Sequence, residues 1–493
     1  MYKILDTRIK AQKSIEMMLN THIATQIYTN FGFVPTFGQK KIVEKFSEFL
    51  LDSDFSRIFI INGYAGTGKT SLVATFVAAL KDLNIKTILL APTGRAAKVL
   101  AGYASQNAQT VHKRIYRQNS TTSYESRFSL APNKEHDACF IVDEASMLSN
   151  FSREGSIFGT GNLIDDLVAY VRSGKRCRLI LVGDSAQLPP IGDERSPALD
   201  PDYMGRYGDV EYCTLDEVVR QQMDSGILFN ATLTRCMLEK GIYEPPRFDM
   251  SFADFEAISG AEFMEKIEEC YSRYGKDETI VITRSNKRAN RFNAGIRRQV
   301  LFAEEEIESG DMLMVVKNNY HFTEREEDSK LDFIANGDIV RLRRLRRFEE
   351  LYGFHFAEAI LQLVDYDNYE LECKVLLDTV SSESPSLTRE ESSRLFYAVE
   401  EDYQDIRSKA KRYKEIMASP YYNAVQIKFA YAVTCHKAQG GQWSAVFIDR
   451  MLFGDEPMTR DLMRWLYTAL TRATEKIYLV NFDEKFVGER DEF

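Results

Sequence analysis

The chain has 493 residues, more than one hydrophobic core usually supports, so two main domains with insertions are expected. Apolar residues make up 44% and charged residues 28%, which excludes collagen-like, mucin-like and wholly disordered classes. Lys and Arg total 63 against 73 Asp and Glu, and the net charge of −10 weighs against indiscriminate phosphate binding while allowing a local basic groove.

No apolar run approaches the ~18 residues that a membrane span needs, and no membrane partner is expected. The first twenty residues, MYKILDTRIKAQKSIEMMLN, are amphipathic without an apolar core, so no secretory signal is read there. Seven cysteines are dispersed with no CxxC pair, which argues against a disulfide framework or zinc ribbon and for a reducing, cytoplasmic setting.

In chain order, short apolar runs recur through the first half: RIFII (57–61), TILLA (87–91), ACFIV (138–142) and RLILV (178–182). Each is too short and continuous for an exposed strand or a helix, and helical patterns such as KTSLVATFVAALKDL separate them. Strands alternating with helices predict an α/β, doubly wound parallel sheet. The segment 103–136, rich in Asn, Ser, Thr and Arg, is expected to project from this domain. The pattern returns with TIVIT (279–283), AVFID (445–449) and IYLVN (477–481), which predicts a second α/β domain.

Between the strands of that second domain lies an insertion, 308–425. Its front has β-like runs and a turn at Asn336-Gly337-Asp338, the pattern of a small antiparallel barrel. Its back reads as one long helix over 388–417: a Thr388/Glu391 capping box precedes a stripe of Val399, Tyr403, Ile406, Ala410, Tyr413 and Met417. Such a helix would be about 45 Å long and would pack on its own domain or reach a protein partner. The domains are therefore read as 1–102 with 137–220, 221–307 with 426–493, and the two insertions. Two basic stretches, Arg284 to Arg298 and RLRRLRR (341–347), are either solvated faces or parts of a groove.

Gly63-Tyr64-Ala65-Gly66-Thr67-Gly68-Lys69-Thr70 fits GxxxxGK[ST] between a strand and a helix. Gly63, Gly66 and Gly68 let backbone N–H groups close around phosphates at a helix N-terminus. Lys69 then reaches the β- and γ-phosphates and the Thr70 hydroxyl ligates Mg²⁺, so ATP and Mg²⁺ are the expected cofactors. In CFIVDEAS (139–146) an apolar strand ends in two carboxylates. Asp143 suits the hold on Mg²⁺, and Glu144 suits the base that activates water. In GDSAQLPP (183–190), Gln187 offers a neutral amide to the γ-phosphate or the lytic water.

APTGRAAK (91–98), TVHK (110–113), IVDEAS (141–146), GDSAQLPP, VVRQ (218–221), YAVTCHKAQGGQW (431–443) and LYTALTRA (466–473) follow the order of superfamily 1 helicase motifs. The chain resembles the RecD/Dda-like branch over roughly residues 30–485. The resemblance implies two RecA-like parallel-sheet domains, the first with a pin-like hairpin at 103–136, with Tyr124 and Phe128 as wedge aromatics, and the second with an SH3-like barrel plus long helix. It also implies ATP-dependent movement 5′ to 3′ on single-stranded DNA with separation of tailed duplex, by a protein expected to act as a monomer.

Carried over residue by residue, the resemblance makes Gln39 the reader of the adenine edge. It makes Arg220 and Arg472 arginine fingers for the γ-phosphate, and Pro92, Thr93, Arg95, His112, Thr434, His436 and Lys437 the DNA track. Gln439 would bridge the track and the nucleotide. Where many relatives carry a ribose-holding glutamate this chain has Gln442, a weaker acceptor. The alternatives are an RNA helicase, a translocase without strand separation, or a nucleotide-switched clamp. A small-molecule phosphotransferase would not need the motifs after residue 430.

Overall fold

The apolar runs become strands because both faces are covered: β1 (Ile58–Gly63), for instance, is buried at every position. The computed structural model describes residues 17–118, 128–150, 158–218, 224–319, 321–322, 334–366, 368–450 and 456–488. It divides into two units, one of residues 1–92 and 96–223, the other of residues 93–95 and 224–493.

In the first unit the further strands are β2 (Lys86–Ala91), β3 (Ala108–Thr110), β4 (Tyr116–Gln118), β5 (Phe128–Leu130), β6 (Ala138–Val142), β7 (Arg178–Gly183) and β8 (Val210–Leu215). Five of them join β1 in one sheet of order β3-β2-β6-β7-β1-β8, and every pairing is parallel. All strand C-termini therefore face the same edge, where ligands of open α/β sheets bind. The helix Phe37–Leu51 starts at a capping box between Thr36 and Gln39. Its Phe46 stacks on Phe76 of helix Lys69–Asp82 at 4.0 Å between ring centroids, within a core that includes Phe49 and Phe59.

The segment 103–136 is not a single projecting insertion. Ala108–Thr110 pairs with β2 at the sheet edge, Val111–Ile115 is a short helix, and only the antiparallel β4–β5 ribbon leaves the sheet. Phe128 is no exposed wedge: it is buried at the base of that ribbon, its ring 5.0 Å from Phe158. Tyr124 lies outside the described residues. The ribbon base is tied to helix Leu163–Ser173 through Asp166, which accepts from the Tyr116 hydroxyl at 2.7 Å and from Thr160 at 2.9 and 3.0 Å.

The second unit runs through β9 (Phe248–Asp249), β10 (Phe255–Ile258), β11 (Thr279–Thr283), β12 (Met312–Val315), β13 (Ile339–Leu351), β14 (Phe354–Leu363), β15 (Tyr369–Leu376) and β16 (Val425–Phe429). It ends with β17 (Ala432–Thr434), β18 (Trp443–Asp449), β19 (Ala473–Val480) and β20 (Val487–Gly488). A second parallel sheet has the order β10-β19-β18-β11-β17, as the returning apolar runs predicted.

Strands β12 to β16 close into a barrel, antiparallel except where β15 meets β16. One buried ion pair seats it. Arg297 of helix Asn286–Gln299 holds Asp311 through two bonds of 2.9 Å, donates to the Glu306 and Glu305 carbonyls, and lies 4.3 Å over the Phe429 ring. The RLRRLRR stretch is largely neutralised, with Arg341 on Asp277, Arg343 on Glu370, and Arg346 and Arg347 on Glu358.

The single helix expected over 388–417 is two helices, Arg389–Glu401 and Lys409–Ala418, the second capped by Ser408. The Thr388/Glu391 capping box is present. A straight helix of that length would have run past the short apolar surface of Phe354, Phe356 and Leu376. Folding back lets Leu395, Val399 and Ile416 all reach it. Arg412 fastens the turn by donating to the Ile406 carbonyl and to Glu400 at 3.3 Å.

Candidate nucleotide site and nucleic-acid track

The phosphate loop follows β1. Gly66 and Gly68 have φ of 73° and 80°, a conformation that glycine adopts without penalty, and Gly68 caps the helix Lys69–Asp82. At Gly63 the need is space: a Cβ there would lie 2.5 Å from Lys69 Cγ and 3.2 Å from Leu215 Cβ. The Lys69 ammonium folds back on the loop, donating to the carbonyls of Gly63 and Tyr64, with Asp184 Oδ2 at 3.7 Å. Thr70 is exposed at the helix start.

Gln39 is fully buried. Its Oε1 accepts from Thr36 N–H at 3.0 Å, and its Nε2 donates to the Thr67 carbonyl of the loop at 3.3 Å. The side chain expected to read adenine is thus engaged by the chain on both amide atoms.

The carboxylates stand after β6. Asp143 accepts from the Tyr103 hydroxyl at Oδ2 and from Glu144 N–H at Oδ1, 2.9 Å. Burial raises the Asp143 pKa above the usual carboxylate range, against the pull of these donors and the Lys69 charge. Glu144 adopts φ 51°, ψ 35°, a left-handed conformation that costs a non-glycine residue roughly 1–2 kcal/mol. Gln187, after β7, is buried, and its Oε1 has no hydrogen-bond partner among the described residues. An orphaned acceptor of this kind costs free energy until something donates to it.

Among the described residues no group of three or more His, Cys, Asp or Glu could hold a metal by itself. Mg²⁺ fits such a site. It is ordinarily held by one or two hard oxygen donors, with phosphate oxygens and water completing its octahedron. Asp143 and Thr70 supply donors of that kind.

Two further side chains at this edge, Asp184 and Tyr103, were not among the expected site residues. Asp184, fully buried, is the counter-ion of Lys69 and also accepts from Ala186 N–H at 3.0 Å. Its signal is an acid at the end of the strand next to β1, which needs the sheet order. Tyr103 has no local sequence signal at all.

Of the nucleic-acid candidates, His112 lies on the short helix after β3, with its ring 5.1 Å from Phe158 and 5.8 Å from Tyr116. Burial pushes its pKa down to about 4, so the imidazole is neutral at physiological pH. Pro92 follows β2, and Thr93–Arg95 groups with the second unit. There Arg95 lies 4.2 Å over the Trp443 ring and donates to the Gln442 carbonyl at 2.7 Å.

Thr434 ends β17, and His436, its pKa lowered by burial, sits on the helical turn Cys435–Ala438. Lys437 on the same turn donates to Asn336. Gln439 is buried, and the Gln442 side chain is exposed. Arg472 is buried and donates to Thr468 O at 3.1 Å, Gly441 O at 3.2 Å and Thr471 Oγ1 at 3.0 Å. Arg220 lies outside the described residues.

Residues 38–235 match the family model of an AAA domain, and residues 429–480 match that of the UvrD-like helicase C-terminal domain. Among curated proteins, the ATP-dependent RecD2 DNA helicase of Deinococcus radiodurans is 29% identical over 37% of this chain and 24% of its own length. The ATP-dependent DNA helicase dda of Enterobacteria phage T4 is 24% identical over 57% of this chain and 62% of its own. Together these matches support a superfamily 1 helicase of the RecD/Pif1/Dda branch.

A solved Bacteroides Pif1 helicase, in complex with ADP-AlF3 and single-stranded DNA, is 14% identical with a TM-score of 0.46 over 93% of this chain and 95% of that one. In this chain the two matched models fall on the two parallel-sheet units, the first on the phosphate loop and both carboxylate motifs, the second on β17 to β19. Among the described residues no helix is long and apolar enough to cross a membrane.

Proposed function

We propose that this helicase hydrolyses ATP, with Mg²⁺, to move 5′ to 3′ along single-stranded DNA and separate tailed duplex. The observation that carries the ATP hydrolysis is the convergence at one sheet edge, while the direction and the strand separation follow from the resemblance to RecD/Dda-like helicases. The phosphate loop after β1, the Asp143–Glu144 pair after β6 and the Asp184–Gln187 turn after β7 all stand at C-termini of parallel strands in the order β6-β7-β1. Lys69 exchanges its carbonyl partners for the β- and γ-phosphates, Thr70 and Asp143 would hold the metal, Glu144 takes the proton of the attacking water, and Gln187 donates its amide to the γ-phosphate.

When bound, the metal neutralises charge on the transferring phosphoryl group. Arg220 and Arg472 serve as further donors to that charge, Arg472 after leaving its present partners. Pro92, Thr93, Arg95, His112, Thr434, His436 and Lys437 grip the strand through its backbone, a mode that positions without reading sequence. The β4–β5 ribbon, braced by Asp166, parts the duplex.

In the test, Lys69→Ala is assayed beside wild type for ATP hydrolysis with oligo(dT), with single-stranded RNA and without nucleic acid, and for unwinding of forked, 5′-tailed and 3′-tailed duplexes. Wild type is expected to need DNA and a 5′ tail, and the variant to be inactive while still folding cooperatively. Normal turnover by Lys69→Ala, or unwinding that needs a 3′ tail, overturns the corresponding part.

A further inference from the structure

Tyr103 lies on the last turn of helix Gly94–Ala104. Its ring packs against the apolar core of the first unit, which a phenylalanine would do equally well. What the hydroxyl adds is one bond, donated to Asp143 Oδ2. Glu144 N–H occupies the other oxygen, Oδ1. With one donor on each oxygen the carboxylate cannot rotate, and the remaining lone pairs keep a fixed direction. Outer partners of this kind orient a metal-holding group and are typically worth 10–100-fold in metal affinity.

The same carboxylate is tied to the far end of that helix through the backbone. Asp143 N–H donates to the Leu90 carbonyl of β2 at 2.9 Å, and β2 leads through Pro92 and Thr93 directly into the helix. Strand, helix and carboxylate form a closed loop, with Pro92–Arg95 at one end and Tyr103–Asp143 at the other. The nine steps from Gly94 to Tyr103 span about 14 Å of rigid helix. A strand of DNA that shifts the first turn carries Tyr103 with it.

We propose that Tyr103 is a positioning residue for the metal-holding carboxylate, and that helix Gly94–Ala104 is the lever by which single-stranded DNA at its first turn governs the binding of Mg²⁺–nucleotide. This rests on the function proposed above.

The test uses the full chain and Tyr103→Phe. Affinity for a fluorescent ADP analogue is measured with Mg²⁺ and with EDTA, each with and without oligo(dT); oligo(dT) affinity and melting temperature are measured in parallel. In wild type, Mg²⁺ strengthens nucleotide binding and oligo(dT) changes that strengthening. In Tyr103→Phe the Mg²⁺-dependent gain is expected to fall roughly tenfold and its response to oligo(dT) to vanish. Metal-free nucleotide affinity, oligo(dT) affinity and melting temperature stay as in wild type.

A second variant, Asp143→Asn, closes a double-mutant cycle in which the two changes are expected to be non-additive for the Mg²⁺ gain. Additivity, or an intact Mg²⁺ gain and oligo(dT) response in Tyr103→Phe, overturns this proposal alone. A wild-type chain that binds neither nucleotide nor oligo(dT) overturns the helicase function, and this proposal with it.

Discussion

Replacing Gly63 by alanine probes the phosphate loop without touching a group that contacts nucleotide through its side chain. The added Cβ would lie 2.5 Å from Lys69 Cγ, 2.9 Å from Lys69 Cδ and 3.2 Å from Leu215 Cβ. Carbon atoms prefer roughly 3.5–4.0 Å, so the overlap is about 1 Å. Strand β1 cannot retreat, because β7 pairs it on one side through Asn62↔Gly183 and β8 on the other through Gly63↔Leu215. The flexible partner must give way, and that partner is the lysine stem.

Lys69 then loses its bonds to the Gly63 and Tyr64 carbonyls and its approach to Asp184. Its ammonium, partly exposed, regains water, so the net cost to the fold is about 1–3 kcal/mol, in the range of a mild overpacking. The cost to nucleotide binding is larger in proportion. A lysine held off its station forfeits a charge-assisted contact worth ~1.5–3 kcal/mol, a weakening of roughly 10–100-fold. Titration of a fluorescent ATP analogue against wild type, Gly63→Ala, Lys69→Ala and the double variant reads this directly. If the clash acts through the lysine, the double variant binds no more weakly than Lys69→Ala. Additive losses, or wild-type affinity in Gly63→Ala, would show that the methyl acts elsewhere or is accommodated by the strand.

Arg297→Ala removes one member of a buried ion pair and leaves Asp311 uncompensated, so a loss of about 3–5 kcal/mol is expected in the second unit. Urea denaturation followed by the fluorescence of Trp443 and Trp465, which lie in that unit, would detect it; an unchanged midpoint contradicts the seat assigned to this pair. His112 is neutral when folded, with its pKa pushed down to about 4 by burial, and titrates near 6.5 when unfolded. The unfolded chain therefore binds the extra proton, and this residue's contribution to stability, complete above pH ~6.5, is lost as pH falls toward 4. A His112→Phe variant should show a flatter decline of melting temperature over that interval than wild type, and parallel curves would contradict it.

Much of this fold is legible in local pattern. A five-residue apolar run between turn signals is buried in a parallel sheet whatever its neighbours, so the runs at 57–61, 138–142, 178–182 and 279–283 announce their strands. The phosphate loop announces itself because glycine spacing and a lysine at a helix start are a local geometry. The helical stripe at 388–417 misled: Tyr403 and Ile406 fall in the turn between the two helices, and the residue that the second helix buries, Ile416, lies off the stripe. The wedge assigned to Phe128 misled similarly: an aromatic in a polar segment marks a tip or an anchor, and packing against Phe158 makes it the anchor.

What this chain determined by itself is its class, the two sheets and the identity of the chemical groups, because periodicity and loop geometry are properties of neighbouring residues. Which acid faces Lys69, which hydroxyl holds Asp143 and which arginines of RLRRLRR are already paired depend on strand order and on distances between segments tens to hundreds of residues apart. Only tertiary packing decided those, since a hydrogen bond or ion pair is set by separation in space and leaves no mark in local spacing.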